Sequence, residues 1–348
     1  MQGSGPARRP FFDRMSSRVE NNDGSASSLH HPDMIRIVAR TNRVGMDRDV
    51  HLLLSAFESF RERPVFSHYR SINPLRRFVG RHNPDEWIIF LERITARWLR
   101  RAGHYLLIPN QERFAHRLVP LLERIDHVLC KTHHAVDVFA ALHPSVHYLG
   151  FTSVDRVDTS ISPDYGRFFH LAGGSTLKGT DTLLEAWSRH PEWPELTLVK
   201  HRGELPFELP ANVRLLSDYL SDDALRQLQN ECGIHLCPSR SEGWGHSIVE
   251  AMSCRAVVVT TDGPPMNELV TADRGVLVPW QRSEPRKLGT SFFVDPALLD
   301  EAVRQLLDRP VESKAALGQA ARDWFEENER AFRANLRRIS ELILPPPG

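Results

Sequence analysis

The chain has 348 residues, 41% hydrophobic and 25% charged, with 44 basic and 44 acidic side chains. This is the composition of a soluble globular protein, long enough for about two domains of ordinary size. A formal net charge of zero gives no electrostatic reason to expect nucleic acid or an anionic membrane as an obligate partner. The four cysteines, Cys130, Cys232, Cys237 and Cys254, form no C-x-x-C pair and read as buried free thiols of a reducing compartment. No apolar stretch approaches the roughly 18 residues of a membrane-spanning helix. The first residues lack the apolar core of a signal peptide, so a cytoplasmic location is expected.

Residues 1–32 are rich in Gly, Ser, Asn and Arg, bury too little surface to offset chain entropy, and are expected to be disordered. From Met34 a regular pattern begins: the apolar run "MIRIVA", the polar loop "RTNRVGMDRD", then "VHLLLSAFESF" with helical spacing. "HYLLIPN", "HVLCKT" and "VHYLGF" are further short strands, and "PDEWIIFLERITARWLRRA" reads as an intervening helix. After the polar connection "FTSVDRVDTSISPDYG" the alternation restarts with "RFFHLAGG" and the helix "GTDTLLEAWSRH". "LTLVK", "VRLLS", "GIHLCPS", "AVVVTT" and "GVLVP" continue the strands, and "GQAARDWFEENERAFRANLRRISELI" is a long amphipathic helix. Short apolar strands alternating with helices predict parallel sheets covered on both faces. The expected fold is therefore α/β, with two doubly wound Rossmann-like domains facing a cleft. Their boundaries fall at residues 33–160 and 161–325, with 326–348 as a C-terminal helix and tail.

In open parallel sheets, ligands bind beyond the carboxyl ends of the strands. "CPSRSEGWGHSIVEAM" spans such an end. Gly243 and Gly245 let backbone approach a phosphate, and the helix beginning near His246 offers unpaired amides to an anion. Glu250, one helical turn further on, can accept two hydrogen bonds from a ribose diol. Glu242, ahead of the glycines, faces the other end of such a ligand. At the corresponding turn of this half's first strand, Gly173, Gly174 and Ser175 lead to Lys178, a cation for phosphate.

These stretches carry a family resemblance. Glu242 and Glu250 in "EGWGHSIVE" resemble the E-x7-E motif of retaining glycosyltransferases of the GT-B fold, family 4 in particular, and "LKGTDTLLEAW" resembles that group's lysine-glycine segment. The resemblance implies a retaining, hexosyltransferase-type transfer from a nucleotide diphosphate sugar to a hydroxyl acceptor. Glu242 and Lys178 would be catalytic: Glu242 would hold the donor sugar and Lys178 the phosphates. Gly243, Trp244, Gly245, His246 and Ser247 would line the diphosphate, and Glu250 would hold the ribose. The family often has an arginine where Gly173 stands, so Arg240 or Lys200 is a candidate for that charge. Arg255 replaces a common glycine, a change expected at the helix surface.

The acceptor is expected on the first half, at Asn42, Arg43 and Gly45, then Asn110, Gln111 and Glu112, then Lys131, Thr132 and His133. A glycan, a small molecule or a glycolipid all suit such polar turns. Peripheral contact with the cytoplasmic face of a membrane through Arg76, Arg77 and Arg81 is the lipid-linked alternative. Asp47-Arg48-Asp49 is a D-x-D triplet of the kind that holds metal on a different fold, but it opens a helix here. Neither a metal nor a cofactor is expected, the nucleotide sugar being a co-substrate. An epimerase or phosphorylase on the same fold, and a silent nucleotide-sugar-binding subunit, are the competing readings.

Overall fold

A computed structural model describes residues 35–40, 45–60, 64–71, 82–201, 208–218 and 220–344. The N-terminal tail, Asn42, Arg43 and the arginines Arg76, Arg77 and Arg81 lie outside the described residues.

The first half comprises β1 (Ile35–Ala39), α1 (Gly45–Glu58), β2 (Val65–His68), β3 (Asn83–Glu92), β4 (Ala102–Pro109), β5 (His127–Cys130), α2 (His133–Ala140) and β6 (Val146–Tyr148). Its six strands form one parallel sheet in the order β2-β1-β3-β4-β5-β6. The second half runs β7 (Asp164–Leu171), α3 (Thr180–Arg189), β8 (Leu196–Val199), β9 (Val213–Leu216), α4 (Asp222–Glu231) and β10 (Cys232–Cys237). It continues with α5 (His246–Ser253), β11 (Val257–Thr261), α6 (Met266–Leu269) and β12 (Gly275–Val278). These strands form a second parallel sheet, ordered β12-β11-β10-β7-β8-β9. Strands buried on both faces must be apolar at nearly every position. Both β10 and β11 are buried throughout, which is why they stood out in the sequence. β7 and β10 are neighbours whose connections leave in opposite directions along the sheet. Their carboxyl ends form the switch point where such sheets bind ligands.

One expected helix is a strand. "EWIIFLE" lies in β3, buried from Glu86 to Glu92, and only Ala96–Trp98 after it makes a short 3-10 turn. A central strand covered on both faces has no alternation to distinguish it from a buried helix. The edge strand β2 and the hairpin β13 (Trp280–Arg286) and β14 (Gly289–Val294) also escaped the sequence reading, because β2 is short and β13 is polar and exposed.

Helices α7 (Pro296–Asp308) and α8 (Val311–Ile343) close the chain. α8 has 33 residues, about 50 Å at 1.5 Å per residue, and passes unbroken through residue 325, where the sequence suggested a boundary. Phe325, Phe332, Leu336 and Ile339 share one core with Leu53 and Phe57 of α1 and Val249 and Met252 of α5. The helix therefore crosses from the second half back to the first. Arg255 is no surface change: it takes φ 62°, the region that favours glycine. Its guanidinium donates to Asp158 O and Ile161 O in the connection between the halves. That connection is pinned again by Arg156, which reaches Gln229 at 2.8 Å and both carboxylate oxygens of Asp222 at 2.9 Å. All four cysteines are buried free thiols, as expected. Among the described residues no helix is long and apolar enough to cross a membrane.

Candidate active site

The loops after β7 and β10 are pressed together at the switch point. A Cβ on Gly179 would lie 2.3 Å from Pro238 O, so only glycine permits this approach, and it directs the preceding Lys178 toward the β10 loop. Lys178 Nζ donates to Glu242 Oε1 at 2.7 Å and to Ser247 Oγ at 2.8 Å. Ser247 lies in the first turn of α5, whose opening amides have no intrahelical acceptor. The cation, the helix start and Glu242 thus converge on one small region. On its outer side, an added Cβ at Gly173 would meet nothing within 4 Å, so the Gly173–Gly174 end of the loop has room beside it. Ser175 stays within this turn, its Oγ accepting from Leu177 N at 3.2 Å. Arg240 does not present an unpaired guanidinium there. It pairs with Asp181, lies 4.7 Å from the Phe293 ring centroid, and its amide donates to Leu177 O.

The first half closes over this region. A Cβ on Gly243 would fall 2.5 Å from Asn110 Cγ, and Gln111 Nε2 donates to Glu242 O at 2.9 Å. Glu250 is fully buried; Oε1 accepts from Arg48 of α1 and Oε2 accepts from Gln229 at 3.2 Å. Asp49, next to Arg48, bonds Lys131 Nζ and faces His246 Nε2, each at 2.6 Å. Burial works to raise the Asp49 carboxyl, yet Lys131 and His246 together hold it down at about 2. His246 Nδ1 lies 2.9 Å from Ser153 Oγ, which also accepts from Trp244 Nε1 at 3.2 Å. Trp244 is therefore a packing residue at the core margin, 3% exposed. Across the cleft, the Glu268 carboxylate of α6 accepts from His133 N and His134 N at the start of α2, both at 2.7 Å.

The expected acceptor turn "KTH" is accordingly more enclosed than its sequence suggested. Lys131 is buried against Asp49 and the Phe151 ring. Thr132 is buried and caps α2 through Oγ1, which accepts from Ala135 N at 3.1 Å. The His133 ring stacks on Tyr148. The enclosing partners Asp49, Phe151, Ala135 and Tyr148 are brought there by the first half's own fold, and Glu268 of the second half adds the bonds to the His133 and His134 amides. Gly45 opens α1, just ahead of Arg48 and Asp49. Those two residues, together with Glu268, are what the sequence reading missed as bridging groups. Among the described residues no group of three or more His, Cys, Asp or Glu side chains is placed to hold a metal.

Beside Glu242 stands a cluster of unpartnered acceptors. Asn110 Oδ1, Gln111 Oε1, Glu112 Oε2 and Ser239 Oγ are buried without a hydrogen-bond partner. Buried polar atoms seldom stay unpaired; the two amide oxygens accept only, while the Ser239 hydroxyl and a protonated Glu112 can also donate, so the cluster suits a hydroxyl-bearing ligand. The β13–β14 hairpin roofs this corner. A Cβ on Gly289 would lie 3.2 Å from Gln111 Cγ, and Leu288 packs into the first half's core. Burial pushes the Glu112 carboxyl up to about 7, with Glu242 adding to it against Arg113. The folded state thus keeps a proton that the unfolded chain has released. The associated stability is complete below the ordinary value of 4.5 and is lost as pH rises through about 7. Wild type should lose on the order of 2 kcal/mol relative to Glu112→Gln between about pH 5 and pH 8. Parallel stability-against-pH curves for the two proteins would assign the proton elsewhere.

Residues 205–324 match the family model described as Glycosyl transferases group 1, a span that includes Glu242 and Glu250. No curated protein matches the chain. Among solved structures it is similar to Anabaena HepE in complex with UDP and glucose, at 14% identity and a TM-score of 0.64, covering 89% of this chain and 99% of that one. Sucrose-phosphate synthase from Thermosynechococcus elongatus is similar at 16% identity and a TM-score of 0.58, over 74% of this chain and 73% of its own. A glycosyltransferase from Rickettsia africae gives 12% identity and a TM-score of 0.64, over 90% and 99%. The two parallel sheets and these likenesses agree: the chain has the GT-B glycosyltransferase fold, and residues 205–324 of its second half match the group 1 glycosyl transferases model.

Proposed function

We propose that the chain transfers a hexose from a nucleotide diphosphate sugar to a hydroxyl acceptor with retention of configuration. The observation that carries this reading is Lys178 bridging Glu242 and Ser247 at the start of α5. A diphosphate seated on the amides of Gly243 to Ser247 takes Lys178 as its counter-ion, places the sugar against Glu242 and sends its ribose toward Glu250. As the glycosidic bond breaks, negative charge grows on the departing phosphate. Fixed donors in a water-poor cleft stabilise that charge without reorganising. The acceptor hydroxyl approaches on the same face, from the side of Asn110, Gln111 and Glu112, and the leaving phosphate takes its proton.

This scheme uses no metal and no cofactor. The second acid of the D-x-D triplet, Asp49, is already engaged by Lys131 and His246, which supports the same view. The similar Anabaena structure is a complex with UDP and glucose, which makes UDP-sugars the first donors to try. In a melting screen against UDP-, GDP- and ADP-sugars, one nucleotide class should stabilise the protein, by about 2.7 kcal/mol at a hundred times its Kd. Transfer should survive chelator, and the product should keep the donor's anomeric configuration. Stabilisation by none of the three classes removes the reading. Loss of activity in chelator, restored by manganese or magnesium, removes metal independence, and an inverted product removes retention.

A further inference from the structure

We propose that Arg48 is an exchange cation, which leaves Glu250 for the diphosphate when the nucleotide's ribose takes its place. This deepens the donor site and rests on the nucleotide-sugar reading above. Glu250 is fully buried and both of its oxygens are occupied, one by Arg48 and one by Gln229. A ribose diol therefore reaches that carboxylate only by displacing a donor, and Arg48 is the one that comes from the opposite wall of the cleft.

Charge balance favours the same exchange. Four cations named at the cleft are each matched with one acid: Lys178 with Glu242, Arg240 with Asp181, Lys131 with Asp49 and Arg48 with Glu250. A nucleoside diphosphate brings at least two negative charges into this balanced set. Its diol, a pair of neutral donors, satisfies Glu250 in place of Arg48, so the ligand frees a cation as it enters. Arg48 then has a short path. Ser247 and Glu250 are three residues apart on α5, about 5–6 Å between Cβ atoms on one face, and Ser247 already marks the Lys178 position. The neighbouring Asp49 is tied to Lys131 and His246, which holds the start of α1 against α5. The Arg48 side chain itself is 21% exposed, and its planar fork suits two phosphate oxygens. In this scheme the first half grips the diphosphate of a ligand whose nucleoside is held by the second.

The test is calorimetric. The nucleoside diphosphate among UDP, GDP and ADP that binds wild type is titrated into wild type and Arg48→Met, and its parent nucleoside is measured by competition. Arg48→Met should weaken the diphosphate at least tenfold while the nucleoside binds as well as before or tighter, because Glu250 no longer has to be won from a cation. Equal losses for the two ligands would mean that Arg48 is a structural bridge and overturn the proposal. Since Arg48→Met leaves the buried Glu250 carboxylate without its counter-ion, Glu250→Gln and the Arg48→Met/Glu250→Gln double variant are measured beside it. The double variant should bind the diphosphate at least tenfold more weakly than Glu250→Gln alone, about 1.4 kcal/mol. Identical affinities in that pair overturn the exchange. If wild type binds none of the three nucleoside diphosphates, the nucleotide-sugar reading itself falls, a result distinct from an unchanged ratio in the variant.

Discussion

Lys178→Ala is expected to lower kcat by about 10²–10³, the cost of removing one prepositioned donor from a developing oxyanion. This lysine bridges Glu242 and Ser247, which fixes its position at the start of α5. A charge aimed at a leaving group gains most when the bond is breaking, and such contacts appear in kcat more than in KM. The variant carries a second penalty, because Glu242 loses its counter-ion and repels the donor phosphates. Lys178→Ala/Glu242→Gln should therefore bind nucleoside diphosphate better than Lys178→Ala alone, while remaining as slow in transfer. The measurement is kcat and KM for the donor, with folding checked by melting. A raised KM at unchanged kcat would make Lys178 a uniform binding contact and remove it from catalysis.

The cluster of Lys178, Glu242 and Ser247 was legible because its parts lie on matching turns of one repeated unit. Glu242, the glycines and Glu250 lie within one strand-loop-helix unit, and Lys178 sits at the matching turn one strand over in the sheet. The groups that meet them were not legible. Arg48 and Glu250 are 202 residues apart, and Asp49 and His246 are 197 apart. Such pairings depend on how two sheets face each other, and no local periodicity encodes that. Within the D-x-D triplet, Arg48 and Asp49 point to two different partners on α5, Glu250 and His246. Lys131 reads as a solvated loop cation only while its partner Asp49, 82 residues away in the sequence, is ignored. In the fold, wholly buried strands such as β10 and β11 declared themselves by unbroken apolar runs. β3 has the same property but continues into "RITARWL", whose apolar spacing suits a helix. The hairpin's first strand, β13, carries almost no apolar signal, although the turn that follows it covers Gln111 and Glu112.

Asp49→Asn should produce the largest loss of stability among single changes at the cleft. The carboxylate is 3% exposed and bonds Lys131 and His246, both at 2.6 Å. Neutralising it leaves the Lys131 ammonium uncompensated beneath the Phe151 ring, at a site where it is 2% exposed. Breaking a buried pair from one side costs about 3–5 kcal/mol, mostly for the charge left behind. For a chain of this size that corresponds to a fall in Tm of roughly 4–7 °C. The origin of the loss can be separated from simple misfit. Asp49→Asn/Lys131→Met removes the orphaned charge and should recover most of the stability, because buried pairs replaced as a unit are often near neutral. Acid titration gives an independent reading. The Asp49 carboxyl sits at about 2 against an ordinary 3.8, so its contribution is present above about pH 4 and is lost as pH falls through 2. Wild type should lose about 2 kcal/mol more than Asp49→Asn across that interval. A single variant that melts with wild type, or a double variant that melts no higher than the single, would show that the buried Asp49–Lys131 pair does not stabilise the first-half wall of the cleft.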